Sequence, residues 1–214
     1  MTAQRKIARP AATRWHPRPP SPFGRGTVGL LGGSFNPAHE GHAYIARTAI
    51  ERLGLDEVWW LVSPGNPLKP NTGMAPLEQR FAAAVSRAHN GCMRVTDIER
   101  ELGTRYTAEA LAALRRRYPR VKFVWLMGAD NLAQIPLWKD WSSIFHTVPV
   151  AVFARPHYLE RALSGAASAR FRDGRLPERA ARTLARHRPP AWIFVHSRLV
   201  AASASAIRAR KRAS

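Results

Sequence analysis

Two histidines three residues apart, His39 and His42, close a turn rich in glycine: Gly32-Gly33-Ser34-Phe35-Asn36-Pro37-Ala38-His39-Glu40-Gly41-His42. Glycine lets the main chain come close to an anion. A helix N-terminus presents free N–H groups and the positive end of a dipole. A glycine turn that runs into a helix is therefore a candidate nucleotide phosphate site. Histidines at this spacing share one helix face. There they can donate to phosphate oxygens and stabilise charge that builds on a phosphoryl group. Two other readings compete. A zinc pair would want further ligands, which no cysteine or carboxylate cluster supplies; a solvated or structural pair needs none. The turn is not a P-loop, because no Gly-Lys-Ser/Thr follows the glycines, and the Gly-x-Gly-x-x-Gly dinucleotide fingerprint is missing.

The elements around this turn must hold it in place. Thr27 to Leu31 reads as a buried strand before it and Ala43 to Leu53 as a helix after it. Further strands are expected at Glu57 to Val62, Met93 to Val95, Val121 to Met127, Val148 to Ala154 and Ala191 to Val195. Pro76 to His89 reads as a helix, with Leu77, Phe81, Val85 and Ala88 on one face at spacings of three and four. Thr107 reads as the N-cap of a helix to Tyr118, and Gly128 to Gln134 as a turn into a short helix. Asp140 to His146 reads as another helix, residues 157 to 188 as one or two surface helices, and Ser205 as the cap of a final helix. Strands separated by helices predict an α/β fold, a Rossmann-like, doubly wound and mostly parallel sheet with helices on both faces. Ligands of such sheets bind beyond the carboxyl ends of the strands. The glycine turn, the loop 63–73, Gly128 to Asp130 and the turn 199–205 all follow strands, so one crevice can collect them.

Composition narrows the possibilities. The chain has 214 residues, enough for one sizeable core, and 45% of them are hydrophobic. Its apolar runs are too short to span a bilayer. Cys92 is the single cysteine, so no disulfide framework or thiolate cluster can form within the chain, and a cytoplasmic location is expected. The net charge is +20, and half of it sits at the two ends. Residues 1 to 26 carry six basic residues, five prolines and no acid; the last seven residues carry four basic ones. Residues 1–26 are read as an unfolded basic extension, and residues 27–214 as one domain. Such charge attracts either nucleic acid, without sequence preference, or small polyphosphates.

The turn with its His-x-Gly-His element resembles the nucleotidyltransferase superfamily, and further segments narrow the likeness. Tyr106-Thr107-Ala-Glu-Ala-Leu111, Gly128-Ala-Asp130-Asn-Leu132, Pro136-Leu-Trp138-Lys139 and Ser203-Ala-Ser205-Ala-Ile207-Arg208, in this order, resemble the bacterial nicotinate-nucleotide adenylyltransferases over about residues 27 to 210. The resemblance implies adenylyl transfer from ATP to nicotinate mononucleotide, giving deamido-NAD and pyrophosphate, a step of NAD biosynthesis. It implies that Gly32, Gly33, Ser34 and Phe35 border the ATP phosphates, with His39 and His42 holding them. Ser203 and Ser205 would add donors and Arg208 a charged clamp. Gly128 and Asp130 would meet the nucleotide sugar, a role compatible with Asp130 capping the helix that follows. Trp138 would stack on the pyridine ring, or else be a core aromatic. The amides of Thr107 and Lys139, beside Tyr106, would face the nicotinate carboxylate. Where the family has Pro-Pro-His-Lys, this chain has Asn66-Pro-Leu-Lys69, which keeps the lysine as a phosphate contact and lacks the adjacent histidine. The chain also ends six residues past Arg208, where most of that family continue.

The implied mechanism is in-line attack of the mononucleotide phosphate on the α-phosphorus, by positioning and charge neutralisation. Mg²⁺ would be carried mainly by the substrate phosphates. His39, His42, Lys69 and Arg208 are the expected catalytic groups. The near rival is another transferase of the superfamily, such as a pantetheine-phosphate adenylyltransferase or a cytidylyltransferase; Trp138 and Tyr106-Thr107 argue against it. The distant rival is a basic nucleic-acid-binding protein. No membrane partner and no specific nucleic acid is expected, and monomer and homodimer both stay open.

Overall fold

A computed structural model describes residues 15–19, 24–65, 73–88 and 91–196. Its centre is a six-stranded sheet made of β1 (Gly26–Gly33), β2 (Glu57–Val62), β3 (Met93–Thr96), β4 (Val121–Gly128), β5 (Val150–Phe153) and β6 (Trp192–Val195). Their order across the sheet is β3-β2-β1-β4-β5-β6, and every neighbouring pair is parallel. The order reverses between β1 and β4, where doubly wound sheets place a ligand crevice.

Alternate residues of each strand point to opposite faces, and both faces are buried. Val28, Leu30, Trp59, Leu61, Phe123, Trp125, Val150 and Val152 belong to one apolar layer. Leu31, Val58, Trp60, Val62, Val124, Leu126, Ala151 and Phe153 belong to the other. Leu30 lies in register between Trp59 and Trp125, so the middle of the first layer is largely aromatic.

The second layer is covered by α1 (Glu40–Leu53), α2 (Leu77–Val85) and a 3-10 segment, Glu178–Arg186. Gly54 ends α1 in the left-handed conformation, φ 64°, which an L side chain resists. The first layer is covered by α3 (Ile98–Glu101), α4 (Thr107–Arg117), α5 (Ala129–Gln134), α6 (Trp141–Thr147), α7 (Leu159–Leu163) and α8 (Ala166–Arg170). No helix among the described residues is long and apolar enough to cross a membrane.

Several elements differ from the sequence reading. In α2 the buried residues are Arg80, Phe81 and Ala84, while Val85 is 38% exposed, so the inward face is turned by one residue. The cause is Arg80, whose buried hydrogen bonds are described below. Tyr106, not Thr107, is the N-cap of α4. Between residues 157 and 188 the chain breaks into two short helices and two 3-10 segments that bury Ala162, Ala167, Phe171, Ala181 and Leu184, so it is part of the core's wall and not only surface.

Residues 15–19 also depart from the unfolded extension expected there. The Trp15 ring meets Trp59 edge to face at 5.2 Å, and the Arg94 guanidinium lies 5.8 Å from its centroid. The Tyr118 hydroxyl donates to the Pro17 carbonyl at 2.7 Å. An indole that finds apolar neighbours buries enough surface to order a few flanking residues, whatever their charge.

Candidate active site

The carboxyl ends of the central strands open into a cleft of about 570 Å³. Gly32, Gly33, Ser34 and Phe35 line it from the end of β1, and His39 and His42 from the start of α1. Gly128 and Asp130 enter after β4, Tyr106 and Thr107 from the start of α4, and Trp138 and Lys139 from the loop before α6. Every described residue that the sequence singled out thus borders one cavity. Asn66, Lys69, Ser203, Ser205 and Arg208 lie outside the described residues.

His39 is the N-cap residue of α1 and His42 is the third residue of its first turn. The His39 backbone N–H donates to His42 Nδ1 at 3.2 Å. That bond makes Nδ1 an acceptor, so the neutral ring carries its proton on Nε2. The two imidazoles stack with centroids 3.8 Å apart, and the edge of Phe35 meets His42 at 4.8 Å. Phe35 takes φ 45°, unusual for a side-chain-bearing residue, and it is fixed there by stacking on Trp60 at 5.3 Å.

Both rings are held neutral. Burial lowers the pKa of His39 to about 4, helped by the charges of Arg155 and Arg87 and opposed by Asp130. Burial also drives His42 well below its ordinary value, and the neighbouring His39 and Arg155 push it the same way. The pair therefore offers hydrogen bonds and no net charge at neutral pH. Among the described residues no group of three or more His, Cys, Asp or Glu side chains is placed to hold a metal ion.

The two strand-end glycines do different work. A Cβ on Gly32 would come within 2.3 Å of the Trp125 ring, so the indole can cross there only over a glycine. A Cβ on Gly33 would meet only the Phe35 ring, at an ordinary 3.5 Å. After β4, a Cβ on Gly128 would strike Asp130 Oδ1 at 2.3 Å and approach Arg155 Nε to 3.0 Å.

Arg80 ties this floor together. The residue is 2% exposed. Nη1 donates to the carbonyls of Ser34 and Ser63, both at 2.7 Å. Nη2 donates to Pro64 at 3.0 Å and Nε to Ala75 at 2.9 Å. One side chain thus joins the glycine turn, the exit of β2 and the entry of α2. Burial lowers its pKa from the free value, and Glu78 acts in the opposite direction.

The opposite wall rests on Lys139. Its ammonium lies 4.4 Å from the centroid of Tyr106 and 3.5 Å from Glu109 Oε1. Trp138 is half-buried against the core and faces the same cleft, so it is at once a packed aromatic and a wall of the cavity. Thr107 opens the eleven-residue α4, whose first N–H groups have no partner within the helix.

Sequence reasoning missed Glu99, Trp125 and Arg155, all of which line the cleft. Burial raises the Glu99 carboxyl to about 7. A carboxylate beside Ile98 in a short helix and an arginine just past a strand are the signals that were available.

The chain matches the family model described as cytidylyltransferase-like over residues 30–210. A protein of Cereibacter sphaeroides named "Probable nicotinate-nucleotide adenylyltransferase" is 53% identical over 185 residues, 86% of this chain and 97% of that protein. Proteins of the same name from Ruegeria pomeroyi and Caulobacter sp. are 52% and 50% identical, over 85% and 86% of this chain and 85% and 97% of their own lengths. Among solved structures, Plasmodium falciparum nicotinic acid mononucleotide adenylyltransferase complexed with NaAD matches with TM-score 0.65 at 14% identity, over 86% of this chain and 83% of that one. The same protein complexed with APC matches with TM-score 0.64 at 13% identity, over the same shares. At that identity the likeness speaks for the fold.

Proposed function

This chain belongs to the cytidylyltransferase-like family, and on that footing we propose how its cleft works. The protein is a nicotinate-nucleotide adenylyltransferase: it transfers the adenylyl group of ATP to nicotinate mononucleotide, a step of NAD biosynthesis. The observation that carries the residue roles is that the glycine turn with its neutral histidine pair and the Trp138–Thr107 wall border one cavity.

ATP lies along the strand ends. The amides of Gly33, Ser34 and Phe35 approach its phosphates, and His42, with its proton on Nε2, donates to a phosphate oxygen. His39 does the same, and Asp130 meets the sugar. Lys69, Ser203, Ser205 and Arg208 keep the contacts that the family resemblance implies, and Asn66 is assigned with Lys69 to the mononucleotide. Trp138 stacks on the pyridine ring. The first N–H groups of α4, Thr107 among them, which have no partner within the helix, together with the amide of Lys139, receive the nicotinate carboxylate at the positive end of that helix.

A mononucleotide phosphate oxygen attacks the α-phosphorus in line. The new P–O bond forms as the bond to the β-phosphate bridge breaks, and pyrophosphate leaves with the electron pair. The attacking phosphate is ionised near neutral pH, so no general base is required. The ATP phosphates would carry Mg²⁺, which would supply neutralising charge there. Residues 27–214 act as one nucleotidyltransferase unit, and residues 1–26 have no catalytic role. A reducing cytoplasm suits a chain with one cysteine.

The test is pyrophosphate release from ATP with nicotinate mononucleotide or nicotinamide mononucleotide, measured in parallel. The nicotinate form should have the higher kcat/KM, because an amide leaves the α4 N–H groups without a charged acceptor. Equal kcat/KM values overturn the carboxylate assignment. No release with either overturns the enzyme reading.

A further inference from the structure

We propose that Arg155 is a further catalytic residue, the guanidinium that donates to the non-bridging oxygens of the α-phosphorus as adenylyl transfer proceeds; this rests on the reading just given. The charge of a transferring phosphoryl group has to be met by something positive or by aimed donors. His39 and His42 are held neutral and bring donors only. Among the described residues lining the cleft, the cations are Arg105, Lys139 and Arg155. Lys139 is engaged with Glu109 and Tyr106 on the far wall, and Arg105 is exposed beside Tyr106 on that same wall. Arg155 instead follows β5, on the strand-end side, and its charge acts on both histidines.

Its geometry fits the task. The side chain is 17% exposed, so solvent screens it weakly, and its Nε lies 3.5 Å from Asp130 Oδ1. Asp130 therefore draws the guanidinium to the strand-end side of the cleft, where a phosphate oxygen would meet it. The absent side chain of Gly128 leaves room for both groups. The α-phosphate is the one next to the ribose. If Asp130 meets the ribose, a guanidinium beside Asp130 is at the reacting phosphorus. Arg155 forms and breaks no covalent bond; it stabilises the oxygens while the incoming and leaving oxygens exchange.

The experiment uses the full chain with Arg155→Gln and Arg155→Lys. Steady-state kinetics with MgATP and nicotinate mononucleotide should show kcat lowered ~100-fold or more in Arg155→Gln, with KM for ATP within about threefold of wild type. Arg155→Lys, a point charge without the planar fork, should fall between. Titration of the histidine ring signals in the substrate-free protein should show the His39 pKa rising in Arg155→Gln and not in Arg155→Lys. A kcat within threefold of wild type in Arg155→Gln overturns the proposal, as does a rise in KM alone. Should Arg155→Gln fail to fold, Arg155→Lys decides: wild-type kcat in that variant overturns it. An inactive wild type points to failure of the underlying reading; an active wild type with an equally active Arg155→Gln sinks this inference alone.

Discussion

Gly32 and Gly33 look alike in sequence, yet alanine at the two positions should have opposite effects on stability. Neither residue has a positive φ, so alanine is conformationally allowed at both. In a strand, alanine gains roughly 0.5–1 kcal/mol over glycine from the unfolded chain's lost freedom. At Gly33 the new methyl makes an ordinary contact with Phe35, and that gain stands. At Gly32 the methyl would sit 2.3 Å from the ring of Trp125, a residue that is 2% exposed and packed in the aromatic middle of one core layer. Overpacking of this kind costs about 1–3 kcal/mol. The net loss at Gly32 is then up to about 2 kcal/mol, which in a chain of this size lowers Tm by roughly 4–8 °C. Thermal denaturation followed by circular dichroism measures both. A cycle with Trp125→Leu adds the decisive control, because the Gly32→Ala penalty should vanish once the indole is gone. Equal Tm shifts for Gly32→Ala and Gly33→Ala, or a penalty that survives Trp125→Leu, would refute the steric account of Gly32.

Three further outcomes are expected. His42→Asn can keep an acceptor for the His39 N–H while losing the ring donor, so kcat should drop by ~10²-fold or more with little change in Tm; a large Tm loss with intact kcat would favour a structural histidine. Arg80→Met leaves four carbonyls without their donor and should cost on the order of 3–5 kcal/mol in urea denaturation; a loss under about 1 kcal/mol would contradict its role as the tie between turn and loop. Glu99 has a raised pKa in the folded protein, about 7, so its contribution is fully present at low pH and is lost as pH rises through that value. Between pH ~4.5 and about 7 the wild type should lose on the order of 1–3 kcal/mol relative to Glu99→Gln; parallel stability curves of the two proteins over that range would be the contrary result.

Much of this arrangement was readable in the sequence because parallel strands buried on both faces carry dense apolar runs, and helix starts carry polar breaks. The His39–His42 spacing placed both rings at one helix entry. What escaped notice depends on contacts distant in sequence. Arg80 reads as a solvent-facing residue until the carbonyls of Ser34 and Ser63 are brought to it, and that reversal turned the predicted face of α2. Gly32 reads as a phosphate glycine, whereas its neighbour is an indole 93 residues later. Arg155 follows a strand without any motif of its own, and only the sheet order brings β5 to the cleft. Trp15 sits among prolines and arginines, so composition hid a side chain whose partner lies on β2.

The two walls of the cleft differ in how they are tied to the fold. One is made of strand ends, and altering it means altering the sheet. The other is a short helix entry and a loop, joined across their tips by Lys139, Tyr106 and Glu109. That second wall can be exchanged with little disturbance to the first so long as Ala108 and Ile135, buried in the core, are kept. On the proposed reading, the strand-end wall serves the nucleotide donor and the tip wall the acceptor. A lineage, or a designer, can therefore change which acceptor is adenylylated by grafting residues 104–109 and 135–140, and leave ATP where it was.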